Sequence, residues 1–300
     1  MAMTRRRLLA GVALGGLAMA SGQRALAAPV QRIVAINWVA AETLLTLGMA
    51  PLAISDSRYY RLRMPTTALP AGVLDVGPFW EPNLELIQAL APQLILSDPM
   101  PAAISRALAS IAPTETVQVY PAIHSVWQSA TGFMTQLAER VGRPPQAAAW
   151  IAASEARLAA LRAQLAQQPQ PPLYVAVLNQ DGRHAMVYGQ NSMVQGVLDQ
   201  LGLENAWQGP RGVMGTTLVG VEQLAQRPDA HLLYIEIPTT SARLQSLRQA
   251  NALWDNLPAR RRGNTLALGK FFPFGGAASA LHLAEVISAY LHQRGDRRHA

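Results

Sequence analysis

The sequence predicts an α/β protein made of two similar α/β lobes joined by a single long rigid helix, and three observations carry that prediction. The first is Gln146–Gln168, which contains neither Gly nor Pro and is rich in Ala, Leu, Gln, Arg and Glu, so helix propensity is high throughout. The second is an internal resemblance. Asn83–Leu96 and Gly220–Leu233 each read as a short helix, a proline and a buried strand. The third is a second matching pair, Leu44–Gly48 and Leu198–Gly202, both helix ends closed by glycine. Two occurrences indicate a duplicated unit, since a solenoid needs at least three.

Within the long helix, Ile151, Leu158, Leu161 and Leu165 recur at helical spacing, leaving Glu155, Arg157, Arg162, Gln164 and Gln167 for water. Pro144 and Pro145 open it, and Pro169, Pro171 and Pro172 close it. At 1.5 Å per residue its length is roughly 35 Å, the size of a strut between lobes. The expected organisation is an export signal over residues 1–27, a first lobe over 28–143, the connecting helix over 144–170 and a second lobe over 171–300.

Residues 1–27 have the layout of a secretory signal. A basic start precedes an apolar run from Leu8 to Ala20, and Ala25-Leu26-Ala27 forms a small-x-small cleavage site, which predicts processing after about Ala27. Thr4-Arg5-Arg6-Arg7-Leu8-Leu9 resembles a twin-arginine signal. The net charge is +7, but Arg5, Arg6, Arg7 and Arg24 all lie in this segment, so a processed chain would carry about +3. That residue of charge gives no footprint for nucleic acid. Beyond the signal no run reaches the ~18 apolar residues of a membrane span, so no membrane insertion is expected. With no cysteine in the chain, disulfides, thiolate metal sites, a cysteine nucleophile and a lipid-modified cysteine are all excluded.

Gln31–Asn37 then reads as a strand and Ala40–Leu47 as a helix ended by Gly48. Leu52–Ser55 supplies the next strand. Asp56–Pro65 lacks clean periodicity and reads as a loop, with Arg58, Tyr59, Tyr60, Arg61 and Arg63 offering donors and ring faces. It suits either a ligand loop or a structural connection. Val73–Gly77 is a strand entering Pro78-Phe79-Trp80-Glu81-Pro82, whose rings either face a ligand or pad the core. Leu94–Ser97 ends in the stiff loop Asp98–Pro101, and Ala102–Ile111 is its helix. Thr116–Tyr120 and a helix from about Ile123 to Val141 complete the lobe.

In the second lobe Leu173–Asn179 is a near-continuous apolar run, the pattern of a fully buried strand, and Ala185–Tyr188 pairs with it or with a neighbour. Gln190–Leu201 reads as helix and Leu203–Thr217 as a Gly-rich loop. His231–Ile237 is strand, Ala242–Ala250 helix and Thr265–Leu268 strand. Gly269–Gly276 follows, with Phe271, Phe272 and Phe274 at a strand-to-helix junction, before the helix Ala277–Gln293.

Catalysis would need a nucleophile with its base, paired carboxylates or metal ligands. The six histidines are scattered, and no G-x-S-x-G elbow, P-loop or G-x-G-x-x-G occurs. Aromatic and Arg-bearing loops recur at the strand ends of both lobes instead, and ligands of α/β sheets gather at the carboxyl ends of strands. A binding protein rather than an enzyme is expected.

At Asp75-Val76-Gly77, Glu81-Pro82-Asn83-Leu84-Glu85-Leu86, Asn205-Ala206-Trp207-Gln208-Gly209 and Ser279-Ala280-Leu281-His282, the chain resembles the periplasmic ferric-hydroxamate-binding proteins. More broadly it is similar to the iron-siderophore and cobalamin binding proteins that feed ABC importers. The resemblance implies two lobes on one long helix, a periplasmic location, a ferric siderophore as ligand, and an inner-membrane ABC permease as partner. It also implies permease docking through one surface glutamate per lobe, here Glu85 and Glu222. The departures lie in the pocket. Phe79 and Trp80 stand where the hydroxamate binders carry Arg and Thr, and Arg63, Ser97, Pro101 and Met214 replace aromatic positions, while Phe272 and Phe274 are kept.

The expected ligand site therefore comprises Trp38, Tyr60, Arg61, Arg63, Phe79, Trp80, Met214, Phe272 and Phe274, with Arg58 beside them. Cationic groups would face the chelate's oxygens and rings its apolar surface. The iron would arrive already chelated, so no cofactor and no protein metal ligand is expected, and the protein would act as a monomer. A cobalamin or haem ligand and an exported hydrolase are the alternatives.

Overall fold

The computed structural model describes residues 28–120, 125–179, 183–210, 212, 214–235 and 252–299; the expected export signal over residues 1–27 and the expected helix Ala242–Ala250 lie outside them. The first sheet holds β1 (Ile33–Ala35), β2 (Ala53–Ile54), β3 (Leu74–Asp75), β4 (Leu94–Ser97) and β5 (Thr114–Thr116) in the order β3-β2-β1-β4-β5, every pair parallel. The second holds β6 (Leu173–Leu178), β7 (His184–Tyr188), β8 (Thr216–Gly220), β9 (His231–Ile235) and β10 (Thr265–Leu268) in the order β10-β9-β6-β7-β8.

The internal resemblance appears as matching strand order, with β4 beside the central β1 and β9 beside the central β6. Direction differs in one half. β7 occupies the place of β2 but runs antiparallel to β6, and β8 is antiparallel to β7. Only five residues separate β6 from β7, too few for the crossover a parallel pair needs, whereas β1 and β2 are separated by helix α1 (Trp38–Thr46).

In the first lobe α3 (Leu84–Ala89) precedes β4, and α4 (Ala102–Ile111) links it to β5. The Asn83 side chain caps α3 by accepting the Leu86 amide. The equivalent segment before β9, Val221–Ala225, is a 3₁₀ helix rather than an α-helix. Asp56–Pro65, expected to be a loop, contains α2 (Ser57–Arg63). Asp56 enters it at φ 47°, a left-handed conformation that aspartate tolerates, and its side chain makes no capping hydrogen bond. The strand expected over Thr116–Tyr120 is present as β5 only up to Thr116.

The long helix is α6 (Pro144–Leu165), three residues shorter at its end than expected and about 33 Å long. It is embedded rather than free-standing. α5 (Val126–Val141), α7 (Met193–Leu201) and α10 (Ala277–His299) all pack against it and against one another. Ala147, Ser154, Leu158, Leu161 and Leu165 form its buried stripe, and Ile151 is only partly covered. α5 and α7 each stop at a glycine of positive φ, Gly142 at 70° and Gly202 at 71°, where a side chain would be strained. One apolar cluster runs from Ile33 and Leu94 under the first sheet through Leu137 and Leu158 to Leu173, Leu233 and Leu283, so the lobes share a core at their junction. Two short helices, α8 (Ala252–Asp255) and α9 (Pro258–Arg261), precede β10 and bury Trp254.

Candidate functional site

The carboxyl ends of β1, β2, β4 and β5 open into one cavity of about 900 Å³, the place a parallel sheet offers a ligand. Trp38 stands at the start of α1, and its indole Nε1 donates 2.9 Å to the Ser55 carbonyl at the end of β2, which fixes the ring. Behind it Tyr60 closes an edge-on contact at a centroid distance of 5.4 Å.

Across the hollow the strand-to-helix segment after β10 brings Phe272 to 4.8 Å from Trp38 and Phe274 to 6.1 Å from Phe272. Phe274 in turn meets Tyr120 of the first lobe at 6.1 Å and Tyr188 of the second at 6.5 Å. The rings form a continuous wall from one lobe to the other. Phe271, adjacent in sequence, is core. The neighbouring turns explain this placement: the Tyr120 hydroxyl donates 2.7 Å to the Gly275 carbonyl, and the buried Glu42 carboxylate of α1 accepts from the Gly276 amide and the Ser279 hydroxyl. A segment of the second lobe is thus held by side chains of the first.

At the rim Phe79 and Trp80 pair edge to face at 5.0 Å and stay 44% and 59% exposed, apolar surface left open beside a cavity. The Phe79 amide donates to the Asp56 carboxylate at 3.2 Å, joining the ends of β2 and β3. Arg63 lies over the exposed ring of Tyr59, its guanidinium carbon 5.9 Å from the centroid. Its charge also acts on the Tyr188 phenol of the other lobe, although burial is the larger influence and pushes that phenol upward.

Seven of the nine expected ligand residues therefore line this cavity: Trp38, Arg63, Phe79, Trp80, Met214, Phe272 and Phe274. Two do not. Tyr60 is fully buried behind Trp38, its hydroxyl 2.6 Å from that of Thr67. Arg61 falls on the other face of α2 and reaches the Ser57 and Pro70 carbonyls at 3.4 Å, because residues two apart on a helix point in different directions. Arg58 is exposed and also outside the lining.

The expectation from sequence omitted Asn37, Asp56, Tyr59, Asp98 and Tyr120, all of which line the hollow. Asn37, Asp56 and Asp98 each follow a strand of the parallel sheet directly or within two residues, and that position was the available signal. Burial raises the carboxyl of Asp98, and partial burial, with the nearby charge of Asp75, raises that of Asp56. Among the described residues, no group of three or more His, Cys, Asp or Glu is placed to hold a metal. Glu85 and Glu222 are both exposed in the first turns of their helices, away from the cavity lining.

Two sheets of matching order, a shared helical junction and an aromatic hollow at the strand ends define a two-lobed binding protein. The chain belongs to the periplasmic binding protein family, whose model matches residues 33–270. It is 31% identical over 286 residues, 95% of either chain, to the iron(3+)-hydroxamate-binding protein FhuD of Escherichia coli (strain K12). Among solved structures it is similar to the Fe3+–Desferal-bound siderophore binding protein FhuD from Vibrio cholerae, with a TM-score of 0.79 and 27% identity over 87% of this chain and 97% of that one. The triscatecholate siderophore binding protein FeuA from Bacillus subtilis, complexed with ferri-bacillibactin, shares the fold at a TM-score of 0.69 and 18% identity over 89% and 94% of the two chains.

Proposed function

We propose that this is an exported solute-binding protein that captures a ferric siderophore in the aromatic hollow and delivers it to an inner-membrane ABC importer. The observation that carries the reading is the wall Trp38–Phe272–Phe274–Tyr120, which crosses from one lobe to the other around a cavity of about 900 Å³. Flat rings suit the apolar faces of a chelate, and Arg63 beside them suits its oxygen atoms. The metal comes with its own ligands, so the protein contributes shape and charge alone.

Because the lobes share a core and Glu42 ties α1 to the start of α10, the hollow is largely preformed. Capture then costs little reorganisation. The N-terminal segment would direct export to the periplasm, and Glu85 and Glu222, one on each lobe, would meet basic groups of the permease.

Tryptophan fluorescence tests the reading, since Trp38 and Trp80 line the cavity. Titration with the ferric complex of desferrioxamine B, a ferric triscatecholate, cobalamin and haem should give saturable quenching with a ferric siderophore. Quenching by cobalamin or haem alone, or by none of them, overturns it.

A further inference from the structure

Among the described residues the hollow contains few ionisable side chains: Arg63, Asp56, Asp98, Tyr59 and Tyr120. Of the two carboxylates Asp98 is the better constrained. It directly follows the last residue of β4, and its Oδ1 accepts a 2.7 Å hydrogen bond from Asn37 Nδ2. Asn37 is itself locked, because its Oδ1 accepts the Ala40 amide at the start of α1. Two elements of the sheet edge thus fix the carboxylate where it faces the cavity.

Asp98 is mostly withdrawn from water, and among the described residues no Lys, Arg or His pairs with it. Arg63, the one cation among the described lining residues, sits over Tyr59 instead. The bond from Asn37 offsets part of the cost of withdrawing the carboxylate from water, and a positive charge beside it would offset more. An incoming ligand that carries a cationic group would supply that charge.

We propose that Asp98 receives the protonated amine of a chelate's pendant arm, so that the hollow prefers ferric siderophores bearing a primary ammonium group. The inference rests on the siderophore reading above and narrows it to one charge class. A ferric trishydroxamate core is neutral, because three monoanionic groups balance the ferric ion, so its arm can carry net positive charge to Asp98. A ferric triscatecholate carries three negative charges and would meet Asp56 and Asp98 at close range, a repulsion that low dielectric strengthens. Neutral amide arms would leave the Asp98 carboxylate without countercharge.

The experiment compares two ligands that differ only at the arm: the ferric complex of desferrioxamine B, which ends in a primary amine, and that of its N-acetylated form. Dissociation constants for both are measured with the full chain and with its Asp98→Asn and Asp56→Asn variants. Wild-type protein should bind the amine form about tenfold more tightly, the scale of one charge-assisted hydrogen bond. Asp98→Asn should bring the ratio close to one, and Asp56→Asn should retain most of it. Equal wild-type affinities overturn the proposal however the variants fold. A ratio that survives Asp98→Asn, or collapses only in Asp56→Asn, also overturns it. Failure of both ligands to bind overturns this inference, and the siderophore reading falls with it only when the ferric triscatecholate also fails to bind, whereas tight binding of both without discrimination removes this inference alone.

Discussion

Glu42 and Ser279 meet across the lobe junction: the Ser279 hydroxyl donates 2.6 Å to the Glu42 carboxylate, which also accepts the Gly276 amide at the start of α10. The carboxylate is fully buried, and burial raises its proton affinity above the ordinary carboxyl range despite these bonds. A negative charge at a helix N-terminus is favourable, so the site offsets part of its desolvation through the last helix of the chain. Tyr60, buried, and Tyr120, half-buried, lie nearby and feel the same charge.

Glu42→Ala should lower stability by about 2–4 kcal/mol, because it leaves the Gly276 and Ser279 donors buried and unpaired. Glu42→Gln can still accept from Gly276 and donate to Ser279, and gives the pH test. A raised native-state value means that the proton is held more tightly in the folded chain. The corresponding stability is present below the unfolded carboxyl value and lost as pH rises through the folded one. The Gln variant should therefore gain on wild type as pH rises from about 4 toward neutrality. Thermal melts across that range check it, and a gap that stays constant or widens in favour of wild type would refute the assignment.

Arg61 and Arg63 are two residues apart on α2 and should separate cleanly in binding. Arg63→Ala removes the cation of the hollow and should weaken binding of a ferric siderophore by on the order of 1 kcal/mol, about fivefold. Arg61→Ala removes bonds to the Ser57 and Pro70 carbonyls and should cost stability of about 0.5–1 kcal/mol without changing affinity. Fluorescence titration of the two variants decides between them, and an equal loss of affinity would count against the placement of α2.

The two-lobed plan was legible because it depends on local propensity: α6 has no Gly or Pro beyond the two prolines that open it, and the repeated helix–proline–strand pattern marks β4 and β9. What was hidden depends on long-range placement. Helix α2 is too short for hydrophobic periodicity to show, and its left-handed entry at Asp56 replaces the familiar cap. The sequence distinguishes neither Phe271 from Phe272 nor Arg61 from Arg63, since each pair is told apart only by which way the backbone turns. Glu42 did leave a trace that was passed over, as an acidic residue within the apolar helix run Val39–Leu47. A charge there needs partners, and the two that hold it most closely, Gly276 and Ser279, lie more than 230 residues away.

Trp38 and Phe272 make the closest ring contact between the lobes. Trp38→Ala should weaken siderophore binding by about 2 kcal/mol, some thirtyfold, and Phe272→Ala by about 1 kcal/mol. Trp38→Phe should recover most of the loss, because a ring remains while only the bond to the Ser55 carbonyl goes. Equilibrium titration monitored by the chelate's visible absorbance is the appropriate readout, since it does not depend on the tryptophan removed. Unchanged affinity in both alanine variants would place the ligand elsewhere.

Glu85 and Glu222 occupy corresponding first turns in the two halves, exposed and outside the hollow. Each stabilises its helix by about 0.3–1 kcal/mol through the N-terminal dipole, so reversal to Lys should lower the melting temperature slightly. If these carboxylates dock on a permease, the Glu85→Lys and Glu222→Lys double variant should retain full siderophore affinity while transport into cells or permease-loaded vesicles falls at least tenfold. Each single reversal should give a partial loss, because the two contacts act through one bound partner. Charge reversal at the rim acts mainly on encounter, so the residual transport of the single variants should recover as ionic strength rises. Uptake at wild-type levels in the double variant would assign both glutamates to helix stabilisation alone.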